Sequence, residues 1–459
     1  RNRMSPSKSS ILANLIQQLR NCNYLIQAST IQAAVVKHGF SVSTVTNNHL
    51  INSYVRLHEV TLAHRMFDEM SQPNVVSWSS LMAGYNDAGR PEMALRMYTR
   101  MRGSSVAPNA FTLSAVINAC SILADVEAGR QIHAHVEIVG FRTNHVVCSS
   151  LVDMYGKCNA IHCSRRIFDT MSCKNVVAWT SMMAAYAQNE RGNEALQAFR
   201  EFNSSMGETR PNHFMLAIVI NACASLGKLV AGKAAHGAVI RLEYESNGVV
   251  ASALVDMYVK CGSFKYSDTT FRRISNPCVF SYSSIIVGAA KYGLGKLSLE
   301  LFNEMINQRI KPNDVTLLGL LHGCSHVGLV DEGLWHFNSM YENYGIVPSA
   351  KHYSCVVDML GRVGRLDEAV RLAKSISLDH DQGALIWGSL LSSSRLQGRI
   401  DIAAEASKQL IQTNQQLAGT YITLSNAYVQ AGEWERAQSL RSEMKHSGVR
   451  NIPARSWPC

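Results

Sequence analysis

The chain has 459 residues, 47% of them hydrophobic, and carries a formal net charge of +10. Its 30 glycines and 10 prolines are few for a chain of many strands and turns, so the composition favours helices. A basic surplus indicates a polyanionic partner, either nucleic acid or an anionic membrane surface. No run of 18 uncharged apolar residues occurs, which argues against a transmembrane helix and membrane insertion.

The first residues are basic and lack acidic side chains. Arg1, Arg3, Lys8 and Arg20 all precede the first acidic residue, Glu59. An acid-poor opening rich in arginine and serine is typical of an organelle transit peptide. We therefore interpret residues 1–8 as an N-terminal flank that is a remnant of such a peptide.

The chain repeats itself at a spacing of 101 to 103 residues. The repeated motifs are Leu151–Cys158 with Leu254–Cys261, Asn118–Cys120 with Asn221–Cys223, and Asn74–Trp78 with Asn175–Trp179. Self-similarity at a fixed spacing is the signature of a stacked-repeat architecture. Each interval divides into units of about 35, 35 and 31 residues, and the boundaries that we predict are 9–43, 44–74, 75–109, 110–144, 145–175, 176–212, 213–247, 248–278, 279–313, 314–349, 350–383, 384–417 and 418–451.

Within a unit the apolar residues follow a helical period. In unit 75–109, apolar side chains recur at steps of three and four residues, interrupted at Asp87–Gly89. Pro91 can open the second helix at its first turn, and Pro108 cannot continue it. The sequence therefore predicts an all-α fold, a right-handed α-solenoid of helix-turn-helix repeats with about 13 units and about 26 helices.

These residues carry a resemblance to a known family. The helical hairpin of 35 residues ending in Pro-Asn, and the start Val-Val-Ser-Trp-Ser, resemble the pentatricopeptide repeat. The alternation of 35, 35 and 31 residues resembles its plant subclass of P, L and S units. The segments Ile386–Leu391, Tyr421–Tyr428 and Gly432–Trp434 resemble the family's C-terminal E-type extension, and Pro453–Trp457 resembles its close. The expected domains are a repeat array at 9–383, degenerate E-type repeats at 384–451 and a tail at 452–459.

The resemblance implies that the repeats bind single-stranded RNA, one base per repeat. In the family, the fifth and last residues of a unit read the base edge. The reader pairs carried over are Asn48 with Asn74, Ser79 with Asn109, Ser149 with Asn175, Thr180 with Asn212, Ser283 with Asn313, and Ser354 with Asp381. A small hydroxyl with asparagine implies adenine, Asn48 with Asn74 implies a pyrimidine, and Ser354 with Asp381 implies guanine. For any single pair there is a structural alternative to base reading, because serine or threonine at a helix start is often an N-cap and asparagine after proline is often a turn residue.

The second residue of a unit sandwiches the base in the family. Carried over, the sandwich residues are Val76, Val146, Val177, Val249 and Phe280, for which core packing is the alternative interpretation. Trp78, Trp179 and Tyr282 are predicted to be core residues and not base platforms. Cys278 replaces the last reader of its unit, which implies a loose base preference. Ser114, Ala217 and Leu318 stand at the fifth place of L-type units, which we expect to act as spacers.

The sequence argues against an enzyme, a metal site and a cofactor. A zinc deaminase needs H-x-E followed by P-C-x-x-C. His135–Glu137 fits the first half of this motif, but the second half is missing because no C-x-x-C occurs. The H-E-x-x-H, phosphate-loop and G-x-S-x-G motifs are also missing. Most of the twelve cysteines recur at equivalent apolar positions, as Cys120, Cys223 and Cys324 do, which indicates buried thiols in a reducing compartment.

The resemblance implies a site-recognition factor for cytidine-to-uridine editing of an organelle transcript, in a mitochondrion or, as the second choice, a chloroplast. Residues 384–457 would recruit a separate DYW-type deaminase or other editing factors, since the chain itself carries no deaminase motif. Two alternatives remain open at this stage. One is RNA stabilisation or splicing without editing, and the other is a helical scaffold that binds proteins, as tetratricopeptide repeats do.

Overall fold

Helical hairpins follow one another along the chain in the computed structural model, which describes residues 8–40, 43–205, 207, 209–375, 380–412 and 418–446. These residues form 27 α-helices and no strand. The first twelve helices are α1 (Lys8–Arg20), α2 (Leu25–Lys37), α3 (Thr44–Arg56), α4 (Val60–Asp68), α5 (Val75–Asp87), α6 (Pro91–Arg102), α7 (Ala110–Leu123), α8 (Val126–Ile138), α9 (His145–Lys157), α10 (Ile161–Thr170), α11 (Val176–Gln188) and α12 (Gly192–Ser205). The other helices are α13 (His213–Ser225), α14 (Leu229–Arg241), α15 (Gly248–Lys260), α16 (Phe264–Arg272), α17 (Val279–Lys291), α18 (Gly295–Asn307), α19 (Asp314–Val327), α20 (Val330–Asn338), α21 (Met340–Tyr344), α22 (Ala350–Arg362), α23 (Leu366–Ser375), α24 (His380–Leu396), α25 (Ile400–Gln412), α26 (Ala418–Gln430) and α27 (Trp434–His446).

The helices confirm the predicted all-α fold of paired helices. In most of the predicted units the first helix begins one residue after the preceding boundary, as α5 does after Asn74 and α7 after Asn109. The predicted number of about 26 helices is close, because the described residues add one short helix, α21, between the two hairpins of 314–375.

Asparagine side chains fix where the first helices begin. The side-chain oxygens of Asn74, Asn109, Asn144, Asn175 and Asn313 accept hydrogen bonds from backbone N–H groups in the first turn that follows. An N-cap of this kind satisfies donors that the helix itself leaves open. All of these asparagines except Asn144 are ones that the resemblance assigns to base reading, so those residues also have a structural role.

The chain divides into two bodies, residues 1–222 and residues 223–459. In the first body, each first helix packs on the next, in the order α3, α5, α7, α9 and α11. In the second body, α15, α17, α19, α22 and α24 pack in the same way. The first helices of each body therefore lie side by side, so that equivalent residues of successive repeats are neighbours.

The fourth residue of three first helices is an aromatic core residue, as predicted. Trp78 and Trp179 are 4% exposed and Tyr282 is fully buried. Each ring meets a phenylalanine of the preceding hairpin edge-on, with the centroids 4.6 to 4.9 Å apart. This T-shaped geometry is favoured between aromatic rings and adds to the apolar area that they bury.

Glycine allows successive first helices to approach closely at some positions. A Cβ atom at Gly84 of α5 would lie 2.4 Å from Val55 of α3, and one at Gly288 of α17 would lie 2.5 Å from Val259 of α15. Both contacts are far too short for real atoms, so the absence of a side chain sets the spacing of these helices.

Three cysteines at equivalent repeat positions are buried, as predicted. Cys120, Cys223 and Cys324 are buried free thiols among the described residues, and burial raises the pKa of each. No helix in the described ranges is long and apolar enough to cross a membrane. In the same ranges, no three His, Cys, Asp or Glu side chains come together in a way that could hold a metal ion.

Candidate nucleic-acid interface

The second residue of most repeats presents an apolar side chain to solvent. Exposure of the predicted sandwich residues ranges from 37% at Val146 to 67% at Phe280, so core packing does not account for them. The same place is apolar and exposed in units for which we had predicted no sandwich residue. These further residues are Val45, Phe111, Phe214, Val315 and Leu385. The exposed row thus includes the L-type units, which we had expected to be spacers.

Helix geometry places several positions on the face that carries this row. At 3.6 residues per turn, the second, fifth, ninth and thirteenth residues of a helix point in similar directions. In the first body, this face of α5 and α7 borders a pocket of about 720 Å³. Its lining includes Val76 and Ser79 of α5, Asn109 before α7, and Phe111 and Asn118 of α7. Two exposed apolar side chains and a predicted reader pair therefore meet in one cavity.

The reader pair in this pocket is hydrogen-bonded to Thr112, the third residue of the next repeat. The Asn109 side-chain oxygen accepts from the backbone N–H and from the hydroxyl of Thr112, each at 2.9 Å. The Ser79 hydroxyl lies 2.7 Å from the Thr112 hydroxyl and 2.7 Å from the Val75 carbonyl oxygen. The amide nitrogen of Asn109 makes no such bond with the described residues, so its N–H groups can donate to a molecule bound in the pocket.

The pair Ser283 and Asn313 repeats this arrangement in the second body. The Ser283 hydroxyl donates to the Asn313 side-chain oxygen at 3.1 Å and lies 2.7 Å from the Thr316 hydroxyl. The Asn313 oxygen accepts from the backbone N–H of Thr316 at 2.9 Å and from its hydroxyl at 2.8 Å. The structure thus brings both predicted readers together here.

Two other predicted pairs are joined less closely. The Asn212 amide nitrogen lies 3.5 Å from the Thr180 hydroxyl, and its oxygen caps the N–H of Met215 at 2.8 Å. The Asn175 oxygen caps α11, while the Ser149 hydroxyl donates to the His145 carbonyl at 2.8 Å. No hydrogen bond joins Ser149 to Asn175 among the described residues.

The pair Asn48 and Asn74 forms a compact polar group with Ser77. The Asn48 amide nitrogen donates to the Asn74 oxygen at 3.1 Å, and the Ser77 hydroxyl lies 2.5 Å from the Asn48 oxygen. The last predicted pair differs. Ser354 contacts the Ser389 hydroxyl at 2.7 Å, and Asp381 lies inside the first turn of α24, with its side chain outside the described part.

Basic residues on the same face were not identified from the sequence. Lys157, Lys260, Lys291 and Arg362 are the thirteenth residues of their helices, and all four are exposed. Lys157, Lys260 and Arg362 pair at 2.7 to 2.8 Å with an aspartate four residues earlier, whereas Lys291 makes no ion pair with the described residues. The i, i+4 spacing and the regular recurrence are the signals that could have revealed them.

Comparison with known proteins decides the family. A PPR repeat family model matches residues 73–121 and 277–326, and a PPR repeat model matches 45–74, 177–205, 315–344 and 351–376. A pentatricopeptide repeat-containing protein of Arabidopsis thaliana is 53% identical over 448 residues, which cover 97% of this chain and 73% of that protein. The chain belongs to the pentatricopeptide repeat family. An E motif model matches residues 398–458, which confirms the predicted E-type extension.

Other members of the pentatricopeptide repeat family are more distant. The Arabidopsis thaliana protein CRR2, described as chloroplastic, is 33% identical over 94% of this chain and 66% of its own length. A mitochondrial protein of the same plant is 33% identical over 89% of this chain and 64% of that protein. This chain therefore spans about three quarters of the first relative and less than two thirds of these two. The crystal structure of the maize pentatricopeptide repeat protein PPR10 shares the fold, with a TM-score of 0.59 and 18% identity over 97% of this chain and 69% of that one.

The pentatricopeptide repeats that depart from the reader pattern differ in their fifth or last residue. Ala217 is buried, Leu318 is half-buried, and the buried hydroxyl of Ser114 has no hydrogen-bond partner among the described residues. Cys278 takes the N-cap place before α17, with its sulfur 3.4 Å from the Ser252 hydroxyl. Burial acts to raise the pKa of this thiol, but hydrogen bonds from Ser252 and the α17 N-terminus hold the pKa below its ordinary value.

Proposed function

We propose that this protein binds single-stranded RNA and selects bases through the reader pairs of its repeats. The pocket between α5 and α7 carries the proposal, because Val76 and Phe111 flank a cavity that also contains Ser79 and Asn109. Flat apolar or aromatic groups stack on any base, and the polar side chains between them distinguish base edges. Membership of the pentatricopeptide repeat family supports the same function.

The hydrogen bonds at Asn109 support adenine as the preferred base there. The amide oxygen is used by Thr112, so a base in the pocket faces the N–H donors of Asn109. On the edge used in base pairing, adenine presents a ring-nitrogen acceptor where guanine presents a ring N–H donor. The formal net charge of +10 and the exposed Lys291 support binding of the phosphate backbone.

We further propose that the RNA is an organelle transcript and that the protein marks a site for cytidine-to-uridine editing. The proposal depends on the E motif match at residues 398–458 and on relatives that are named as chloroplastic or mitochondrial. Residues 384–457 would bind a deaminase that acts in trans. Leu396 and Trp434, which are exposed apolar side chains in this segment, support a protein-binding surface there.

The test is binding to an RNA that the reader pairs specify. In the 5′ to 3′ direction its order is pyrimidine-A-N-A-A-N-N-A-N-G, where N is any base. The control is a scrambled RNA of equal length and composition at physiological salt. We expect a preference of tenfold or more, which corresponds to about 1.4 kcal/mol. Equal and weak binding of both RNAs would contradict sequence-specific recognition.

A further inference from the structure

In two repeats the third residue is a threonine that contacts both readers of the repeat before it. Thr112 is fully buried, and its hydroxyl lies between the Ser79 hydroxyl at 2.7 Å and the Asn109 oxygen at 2.9 Å. Thr316 is likewise fully buried between Ser283 and Asn313. Neither threonine is exposed to solvent, so each can act on a bound base only through the readers.

The threonine restricts what each reader can offer to a base. The oxygen of Asn109 accepts two hydrogen bonds from Thr112, and the Asn109 backbone N–H reaches the threonine hydroxyl at 3.4 Å. These bonds fix the amide orientation, with its nitrogen toward the pocket. The Ser79 hydroxyl has one proton, which must go to Val75 or to Thr112, so its orientation depends on the same network.

Two pairs of the same chemical type lack this threonine. Ala178 stands at the third place after Ser149 and Asn175, and Met215 stands there after Thr180 and Asn212. Their asparagine oxygens accept only the backbone cap bond, from Ala178 at 2.9 Å and from Met215 at 2.8 Å, and the Asn212 amide nitrogen also lies 3.5 Å from the Thr180 hydroxyl. A threonine side chain thus links the hydroxyl to the asparagine at two places and is missing at the other two.

We propose that Thr112 and Thr316 are positioning residues that sharpen base selection by the reader pairs before them. The proposal rests on the proposed RNA-binding function. A preorganised donor pattern gives up less freedom on binding and leaves a wrong base with unpaired groups. Selection of adenine is therefore stricter at Ser79 with Asn109 and at Ser283 with Asn313 than at Ser149 with Asn175 or Thr180 with Asn212.

The test removes the hydroxyl and keeps the shape of the side chain. Thr112→Val is compared with the wild-type protein and with Thr112→Ser, which retains the hydroxyl. Dissociation constants are measured for RNAs that carry adenine or guanine opposite Ser79 and Asn109, and for a second pair of RNAs varied opposite Ser283 and Asn313. Circular dichroism melts report the stability of each variant.

We expect Thr112→Val to lower the adenine-to-guanine ratio at its own position at least threefold and to leave the ratio at the Ser283 position unchanged. Thr112→Ser, which keeps the hydroxyl, should retain most of the wild-type ratio. If the effect of Thr112→Val were merely structural, the hydroxyl of Thr112→Ser would not preserve the ratio. An unchanged ratio in a folded Thr112→Val protein, while the wild type discriminates, would overturn the inference and leave the proposed function intact. A wild-type protein without base preference would overturn the proposed function and the inference with it.

A second variant adds the hydroxyl where it is missing. Ala178→Ser places a small hydroxyl at the third place after Ser149 and Asn175, as Ser77 and Ser281 already do elsewhere. We expect the adenine-to-guanine ratio at that position to rise at least twofold. If Thr112→Val does not fold, Ala178→Ser still tests the inference. An adenine-to-guanine ratio that stays the same or falls in Ala178→Ser would count against it.

Discussion

The ring of Phe168 meets the ring of Trp179 edge-on, with 4.7 Å between their centroids. Phe168 closes one hairpin and Trp179 begins the next, so the contact joins successive repeats inside the first body. Both side chains are buried, at 1% and 4% exposure. Stacking of hairpins thus depends on pairs of large side chains that neither hairpin could bury alone.

Loss of that ring should destabilise the repeats on either side of it. We expect Phe168→Ala to lower the local free energy of unfolding by about 3–5 kcal/mol. Hydrogen exchange of amides in α10 and α11 measures the effect, since repeat proteins open locally. Phe214→Ala is the matched control, because Phe214 is 54% exposed and should cost little stability. Equal effects of the two changes would argue against the assignment of Phe168 to the core.

The exposed apolar row should contribute to RNA affinity without regard to base identity. We expect Phe111→Ala to weaken binding by about 1–3 kcal/mol, the usual range for loss of one aromatic–base stack. The loss should be similar for every base placed at that position. Ile138→Ala serves as the control, since Ile138 is 81% exposed at the end of α8, a second helix. A stronger loss for adenine than for the other bases would contradict a pure stacking role.

Lys291, which differs from Lys157, Lys260 and Arg362 in having no aspartate partner among the described residues, should contact phosphate in the bound RNA. Lys291→Gln is expected to weaken all RNAs alike and to reduce the slope of log K against log salt by about one. Titrations at several salt concentrations measure that slope. Lys265→Gln on α16 removes the same charge from a second helix and should leave the slope nearly unchanged. Identical slopes for the two variants would mean that Lys291 does not contact the bound strand.

Acid should destabilise the repeats through the half-buried His236. Burial lowers the pKa of His236, whose Nδ1 lies 2.9 Å from the Tyr258 hydroxyl. The unfolded chain therefore binds more protons than the folded one, so this contribution to stability is complete above about pH 6.5 and is lost as the pH falls below that value. We expect His236→Gln to flatten this pH dependence in denaturant titrations. His145→Gln, at an exposed position, should leave it as in the wild type.

The repeat boundaries were predictable because they depend on local chemistry. Pro-Asn and Asn-Val-Val mark a helix end and an N-cap, so the starts of α5, α7 and α11 followed from the sequence. The burial of Trp78 and Tyr282 followed from the helical period. The short helix α21 was not predicted, since it lies outside the repeating pattern.

Much of the candidate site could not be predicted in the same way. The second and fourth residues of a first helix are both apolar. The contact that buries Trp78, with Phe67 of the preceding hairpin, and the exposure of Phe111 are properties of the packed structure. Contacts such as Ser79 with Thr112 join residues 33 positions apart, and no local pattern reports them. The basic residues of this face are marked in the sequence only by their recurrence and by the aspartate four residues earlier, and the structure shows that they lie on the same face as the apolar row.

The most direct test of base reading is a switch of preference at one position. Asn109→Asp keeps an N-cap residue before α7, but it replaces the amide donors with a carboxylate that only accepts hydrogen bonds. Dissociation constants for RNAs with adenine or guanine at that position measure the outcome. We expect the wild type to prefer adenine and Asn109→Asp to prefer guanine, with the other positions unchanged. A variant that folds and keeps the adenine preference would contradict base reading by these pairs.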